Sequence, residues 1–170
     1  MILDIIKYPA SLLREKCAPV RVTDTSIKKL VSDMADTMYA APGVGLAAPQ
    51  VGILKRVVII DTARDPDQRN LRVFINPHIL WAEGQMVGEE GCLSLPEVYG
   101  EVKRSEVVRV SYLDFAGNEH EITGEDLLAR AIQHEVDHLN GILFIDHLSA
   151  IRRELIKTKL RKKAKLTARG

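Results

Sequence analysis

The chain has 170 residues, of which 46% are hydrophobic and 28% are charged, and this length suits a single domain with one core. No apolar run reaches the roughly 18 residues that span a bilayer, and the opening MILDIIKYPA lacks a secretory signal pattern, so we expect a cytoplasmic protein without a membrane partner. The net charge of +1 conceals an uneven distribution: residues 151–170 hold nine Lys or Arg and one Glu, whereas residues 1–150 hold 15 basic and 22 acidic side chains.

The first half of the chain predicts one helix followed by strands. Apolar residues recur at three- and four-residue steps over 27–38, with Asp24 and Thr25 as capping candidates and Pro42-Gly43 as the stop, which indicates an amphipathic helix. GVGLAAPQVG is typical of a glycine-punctuated loop. The β-branched residues of KRVVIID and LRVFINP predict two strands, separated by a polar and exposed segment.

The second half predicts a hairpin and another helix. VVRVSYLD and EHEIT flank Gly117-Asn118, which suits a tight connection, so we expect these two segments to pair in antiparallel fashion. A helix is predicted over 125–139, with Thr123 and Asp126 as capping candidates and Asn140-Gly141 as its end.

The basic end of the chain predicts a third helix that begins near Ser149. Its thin apolar stripe consists of Ile151, Leu155 and Leu160. A basic segment of this kind is usually a solvated helix face, and the alternative is a surface that contacts RNA phosphates.

The segment His134-Glu135-Val136-Asp137-His138 lies within the second predicted helix. Residues four apart share a helix face, so the two imidazoles can converge on one metal ion. Glu135 is rotated by about 100 degrees and can reach a bound water as a general base. Leu127 and Ala131 continue the histidine face and predict a small apolar pocket. The alternative is an exposed helix face with two solvated histidines.

Two histidines leave a catalytic ion one protein ligand short. One class of metalloproteases supplies a third histidine six residues after the second, with a glycine midway; here Gly141 fits, but Phe144 occupies the ligand position. The remaining candidates are Cys92, Cys17, His78, His120, His147 and acidic residues. Cys92 is favoured because its segment EEGCLSLP is short and turn-prone and because a thiolate suits a borderline-soft ion, although a cysteine can also simply pack in a core.

Three segments, GVGLAAPQVG at 43–52, EGCLSLP at 90–96 and QHEVDHLNG at 133–141, resemble the signature motifs of bacterial peptide deformylases in sequence, order and spacing. The resemblance covers essentially the whole chain. It implies an α+β fold in which antiparallel β-sheets pack around a central metal-binding helix, with a catalytic domain at 1–150 and a basic helical extension at 151–170. It also implies a metal-dependent hydrolase that removes the N-formyl group from the initiator methionine of newly made polypeptides and releases formate.

The same resemblance implies roles for particular residues. The metal ligands would be Cys92, His134 and His138, with Fe(II) as the physiological ion and Zn, Ni or Co as substitutes. Glu135 would move protons, while the Gln50 side chain and the Leu93 backbone N–H would stabilise negative charge on the carbonyl oxygen. The residues expected to bind substrate are Gly43, Val44, Gly45, Glu90, Leu127 and Ala131.

Further positions bear on the structure of the site and on its specificity. Deformylases often pair the positions of Glu90 and Arg104 to brace the cysteine loop. Arg130 stands where related enzymes usually have an apolar residue; we expect its charged head to reach solvent, and a contact with substrate is the alternative. Tyr99 stands where arginine is common, which leaves specificity beyond the methionine open.

The resemblance also bears on partners. It suggests that the basic helix docks on the ribosome, and we expect a monomer without a nucleotide cofactor, since GVGLAAPQVG lacks the Lys-Ser/Thr of a phosphate loop. Two rival functions are a general metallopeptidase, which would cut unformylated peptides at internal bonds, and a structural metal domain that binds ribosomal RNA and holds its ion with four protein ligands.

Overall fold

The structure, a computed structural model, describes residues 1–21 and 25–169. The helices are α1 (Ser26–Ala40), α2 (Asp126–Leu139) and α3 (Ala150–Arg169). The strands are β1 (Gly45–Ala47), β2 (Val57–Ile60), β3 (Arg72–Glu83), β4 (Met86–Cys92), β5 (Leu95–Arg104), β6 (Val107–Leu113) and β7 (Glu119–Glu125). Short 3₁₀ segments occur at Ser11–Arg14, Ala48–Val51, Pro66–Gln68 and Phe144–His147. None of the helices in the described ranges combines the length and the apolar character that a membrane-spanning segment needs.

The strands form one large sheet and a separate hairpin. The five-stranded sheet has the order β1-β2-β3-β6-β7 with antiparallel neighbours, and β4 pairs with β5 in the hairpin. All four residues of β2 are buried because helices cover both faces of the sheet at this point. Val57 and Ile59 pack with α1, whereas Val58 and Ile60 pack with α2.

Helix α2 is the centre of the fold. Its apolar face packs on the large sheet through Ala129, Ile132 and Val136, while the histidine face turns toward the β4–β5 hairpin. The predicted α+β arrangement, with antiparallel sheets around this helix and a helix at the C-terminal end, is therefore confirmed. The predicted β6–β7 hairpin is also present, with Gly117 at φ 88° in its turn.

The helix boundaries follow the sequence prediction closely, but the caps do not. Helix α1 begins at Ser26, and Thr25 makes no side-chain capping hydrogen bond within the described residues, while Asp24 lies outside them. Helix α2 begins at Asp126 without a side-chain cap, since Thr123 lies within β7 and accepts a hydrogen bond from Arg109 instead. The cap predictions were therefore wrong at the described positions, and at Thr123 the reason is its pairing with Arg109 in the sheet.

Two further predictions need correction. GVGLAAPQVG is not simply a loop: it contains β1 and the 3₁₀ segment Ala48–Val51, because pairing with β2 draws Gly45–Ala47 into the sheet. On α3, Leu160 is buried as expected, but Ile151 is 76% exposed and Leu155 is 65% exposed. Ile156 is buried in their place, because α3 rests on β5 through the side of the helix that carries Ile156 and Leu160.

Candidate metal centre

Two structural elements bring three metal-ligating side chains together. His134 and His138 lie one turn apart on α2, with ring centroids 5.0 Å apart. Cys92 is the last residue of β4, just before the tight turn into β5, and its Sγ atom lies 3.3 Å from Nε2 of His138. The three ligand atoms lie within 4.8 Å of one another. This geometry favours Cys92 among the candidates for the third ligand.

The other candidate ligands lie apart from this cluster. Cys17 is buried in the core between α2 and the sheet. His120 pairs with Asp114 at 2.7 Å on an exposed surface, and His147 contacts Asp137 at 2.8 Å. His78 lies on β3 opposite Ser111. Among the residues described, Cys92, His134 and His138 form the group suited to a metal ion.

The donor atoms fit a divalent transition metal. A hydrogen bond of 2.8 Å joins Nδ1 of His134 to Oε1 of Glu90, which turns Nε2 of this ring toward Cys92. Burial holds the pKa of His138 well below its ordinary value, which favours the neutral imidazole that binds metals. One thiolate and two imidazoles make a three-ligand set that leaves a coordination position open for water or substrate.

Glu90 is buried next to the metal ligands. Its side chain is 4% exposed, and its two oxygens accept hydrogen bonds from Nε and a terminal nitrogen of Arg104 at 2.8 and 2.9 Å. Burial would raise the pKa of Glu90, but the hydrogen bonds from Arg104 and His134 hold it well below its ordinary value. The expected brace between Glu90 and Arg104 is present. The expected contact of Glu90 with substrate is not favoured, because both oxygens are already occupied.

Arg104 also connects this brace to Asp137 on α2. Its remaining terminal nitrogen donates to Asp137 at 2.7 Å, and Asp137 also contacts His147. The brace therefore links β5 to α2 through two carboxylates, those of Glu90 and Asp137. The contacts of Asp137 and His147 could not be predicted from the sequence, because they depend on how the segment after α2 returns to the hairpin.

Arg130 does not reach solvent as the sequence suggested. Its side chain is 12% exposed, and one guanidinium nitrogen lies 2.6 Å from Oε2 of Glu90. Gly88 of β4 makes this possible, because a Cβ atom there would lie 3.0 Å from the guanidinium. The expectation of a solvent-exposed head was wrong, since a buried carboxylate offers this cation a partner inside the protein.

Glu135 is buried next to the metal ligands. Burial raises its pKa to about 7, and its Oε2 atom has no hydrogen-bond partner in the part of the chain that the structure describes. Gly45 lies against this side chain, and a Cβ atom at that position would lie 2.8 Å from Oε1 of Glu135. Gly45 thus leaves the room that Glu135 occupies. A buried carboxyl with one free oxygen and a pKa near neutrality is suited to accept and return a proton.

Gln50 is fixed by its neighbours so that its amide nitrogen points at Cys92. The backbone N–H of Ala47 donates to Oε1 at 2.9 Å, and Nε2 lies 3.1 Å from the hydroxyl oxygen of Ser94 and 3.5 Å from Sγ of Cys92. The carbonyls of Gln50 and Ser94 also accept hydrogen bonds from the N-terminal segment, at 2.7 and 2.8 Å. Ser94 was not singled out in the sequence, because a serine in a turn carries no signal of its own.

A groove of about 490 Å³ opens over this cluster. The predicted site residues that line it are Gly43, Val44, Gly45, Gln50, Glu90, Cys92, Leu93, Leu127, Ala131, His134 and Glu135. Tyr99 and Arg130 also line it, and the Tyr99 ring lies so close to Gly91 that a Cβ atom there would be 2.7 Å away. His138 is more deeply buried behind the groove. The groove is therefore apolar on one side, with the ligand cluster, Glu135 and Gln50 at its base.

Known proteins resemble this chain over nearly its whole length. A family model described as polypeptide deformylase matches residues 2–154. The peptide deformylase of Phenylobacterium zucineum is 47% identical over 163 residues, which are 95% of this chain and 96% of that protein. A peptide deformylase structure from Legionella pneumophila has a TM-score of 0.91 and 46% identity, covering 100% of this chain and 99% of its own.

A further solved structure was determined with a bound peptide. It is the Met-Ala-Ser complex of a class I type b peptide deformylase from Acinetobacter baumannii, with a TM-score of 0.82 and 39% identity, covering 87% of this chain and 99% of its own. The range that the family model matches includes every residue of the cluster and of the groove described above.

Proposed function

The chain belongs to the polypeptide deformylase family, and from this premise we propose how its residues remove the formyl group from N-formylmethionyl peptides. Cys92, His134 and His138 hold one divalent metal ion, and Glu135 carries the proton. The observation that supports this assignment most directly is the convergence of the three ligand atoms within 4.8 Å, with a buried Glu135 that has a free oxygen beside them.

Fe(II) is the proposed physiological ion, with Zn, Ni or Co as substitutes, because thiolate and imidazole ligands accept several first-row metals. When bound, such an ion polarises a carbonyl oxygen and lowers the pKa of water, which supplies the electrophile and the nucleophile of a hydrolysis near neutral pH.

Glu135 moves one proton through the reaction. Its Oε2 atom, which has no hydrogen-bond partner among the described residues, accepts a proton from the attacking water. The same oxygen then returns the proton to the methionine nitrogen as the carbon–nitrogen bond breaks. The products are the neutral amine and formic acid, which ionises to formate by releasing its proton to solvent. Gly45 has no side chain, and this leaves free the space that the Glu135 carboxyl occupies.

Gln50 and Leu93 stabilise the charge that develops on the formyl oxygen. The Ala47 N–H holds Oε1 of Gln50, so the Gln50 amide N–H group is the part that faces the reacting centre. Leu93 follows Cys92 directly, and its backbone N–H is the second donor. Donors that are fixed before the reaction need no reorientation when charge appears, which is the main advantage of such an arrangement.

The groove holds the peptide beside the metal centre. Val44, Leu127 and Ala131 form the apolar wall for the methionine side chain, and the backbone of Gly43–Gly45 runs along the peptide. The Acinetobacter relative binds Met-Ala-Ser, and a peptide of this size suits a groove of about 490 Å³. Tyr99 lies at the exposed end of the groove, next to the residues that follow methionine.

The basic helix supports a second proposal, that the enzyme docks on the ribosome. Residues 151–170 hold nine Lys or Arg, and α3 is anchored by Ile156 and Leu160, so that most of its charged side chains face solvent. This charge suits phosphate contacts without base specificity. We also propose that the protein is a cytoplasmic monomer, with a catalytic domain at 1–150 and a helical extension of the same domain at 151–170.

The test of the catalytic assignment is formate release from formyl-Met-Ala-Ser under anaerobic conditions. Fe(II)-loaded wild type is compared with Glu135→Gln at verified, equal metal occupancy, and Glu101→Gln on the exposed face of β5 is the matched control. We expect wild-type rates from the control and loss of at least about 100-fold in kcat from Glu135→Gln. Full activity of Glu135→Gln would remove its assigned role, and no release by a folded, loaded wild type would refute the proposed reaction.

A further inference from the structure

The guanidinium of Arg130 on α2 makes several hydrogen bonds to the β4–β5 hairpin. One terminal nitrogen donates to Oε2 of Glu90 at 2.6 Å and to the carbonyl of Val102 at 3.1 Å. The other donates to the carbonyl of Met86 at 3.4 Å. Met86 lies on β4 and Val102 on β5, so a single guanidinium on α2 reaches both strands of the hairpin.

The Glu90 carboxylate lies between two guanidinium groups and one imidazole. Oε2 accepts from Nε of Arg104 and from Arg130, while Oε1 contacts a second nitrogen of Arg104 and Nδ1 of His134. All four contacts are between 2.6 and 2.9 Å, and the carboxylate is almost fully buried. A carboxylate held from both sides in this way has little freedom to swing away from the imidazole.

The metal centre has two halves that belong to different elements. Cys92 is carried by the β4–β5 hairpin, whereas His134 and His138 are carried by α2. Ion pairs from both sides of Glu90 join these elements: Arg104 reaches from β5 to Asp137, and Arg130 reaches from α2 to the hairpin. The distance between the thiolate and the imidazoles therefore depends on these side chains as well as on core packing.

We propose that Arg130 is a positioning residue, which fastens the hairpin carrying Cys92 to the helix carrying His134 and His138 and holds the Glu90 carboxylate against His134. This inference rests on the metal-site assignment proposed above. It does not place Arg130 among the catalytic residues, although Arg130 also borders the groove. Its loss should loosen the ligand set, so that the metal leaves faster and turnover falls.

The experiment measures metal retention directly, with Co(II) as the probe. Wild type, Arg130→Met and Arg130→Lys are loaded with one equivalent of Co(II), and the rate of its transfer to excess EDTA is followed together with the thiolate-to-cobalt absorption. The control is Arg109→Met, which removes an exposed guanidinium on β6 that pairs with Glu121. The kcat and KM for formyl-Met-Ala-Ser are measured on the same samples.

We expect Arg130→Met to release Co(II) about 10-fold to 100-fold faster than wild type, to change the thiolate-to-cobalt absorption, and to lower kcat more than it alters KM. Arg130→Lys keeps the charge but lacks the fork that reaches both strands, so its release rate should lie between the two. Arg109→Met should match wild type.

Wild-type Co(II) retention by Arg130→Met would overturn the inference, and so would a change confined to KM, which would make Arg130 a substrate contact instead. If Arg130→Met does not fold, Arg130→Lys decides: faster release supports the inference, and wild-type release contradicts it. A wild type that binds no Co(II) would refute the metal-site assignment itself, an outcome distinct from failure of the Arg130 inference alone.

Discussion

The Phe144 ring stacks against the imidazole of His134, with centroids 6.3 Å apart and an interplanar angle of 22°. Phe144 occupies the position where one class of metalloproteases has its third histidine ligand. Here the residue is buried and packs with β5 and α3, so it supports a ligand instead of being one. In the proposed metal site the third ligand, Cys92, comes from the β4–β5 hairpin, and the position after α2 has a packing role.

Phe144→Leu should therefore lower both stability and metal retention. Loss of the aromatic stack and of part of the buried area should reduce the free energy of unfolding by about 1 to 2 kcal/mol, measured by urea unfolding of the metal-free protein. Without the Phe144 ring the His134 imidazole should be held less firmly, so the protein should also release Co(II) to a chelator faster. Phe74→Leu is the control, since Phe74 is similarly buried but packs against Tyr112 in the core between α2 and the large sheet. Equal Co(II) release by the two variants would contradict a specific role for the stack.

The sequence predicted the parts of the site that depend on local geometry. The two imidazoles share a face because residues four apart on a helix must do so, and the pairing of β6 with β7 follows from the short turn between them. The inward path of Arg130 and the exposure of Ile151 were not predictable in this way. Both depend on which surface of a distant element the helix meets, and a local pattern does not contain that information.

Gly45 is a second case in which a local sequence pattern does not contain the contacts made with a distant element. Its surroundings lead to a second prediction. Its sequence context suggested a loop glycine that binds substrate, and the structure adds that a Cβ atom there would lie 2.8 Å from Oε1 of Glu135. Gly45→Ala should therefore displace the proton carrier and lower kcat by about 10-fold to 100-fold, measured by formate release at equal metal occupancy.

The control for Gly45→Ala is Gly100→Ala. The added Cβ atom would be about equally crowded there, but by the ends of the Leu148 side chain and not by Glu135. We expect this control to lose some thermal stability and to keep its activity. If Gly45→Ala had the kcat of wild type, Glu135 would have to tolerate a displacement that its proposed role does not allow.

Tyr39 provides a prediction about pH. Burial and a hydrogen bond of 2.6 Å to Asp61 raise the pKa of Tyr39 to about 12. A raised tyrosine pKa means that the neutral phenol is favoured in the folded state, so its contribution to stability is complete below the unfolded pKa of about 10 and is lost as pH rises toward 12. The stability difference between wild type and Tyr39→Phe, about 1 kcal/mol at pH 8, should shrink over this interval.

The direct measurement is a titration of tyrosinate absorbance. The chain contains four tyrosines, so wild type should show one class that ionises near pH 12 and that is missing from Tyr39→Phe. Tyr112→Phe, which leaves the Tyr39 contact intact, should retain that class. Ionisation of all four tyrosines near pH 10 would show that the contact with Asp61 does not hold the phenol proton.

The last prediction concerns the basic helix and separates its charge from its packing. Deleting the helix would also remove Ile156 and Leu160, which belong to the core, so substitution of exposed charges is the cleaner change. Replacing Arg152, Lys162 and Lys165 by Gln should leave turnover of formyl-Met-Ala-Ser unchanged, because these side chains are exposed and do not line the groove. Ribosome binding should weaken, and the slope of log affinity against log salt should decrease by up to about 3, since up to three phosphate contacts are lost. The matched control replaces Lys7, Lys28 and Lys103 by Gln. These side chains are also exposed, so the control removes the same charge elsewhere on the protein.

Equal weakening of ribosome binding by both triple variants would indicate a general charge effect, and no weakening by the helix variant would exclude α3 as the docking surface.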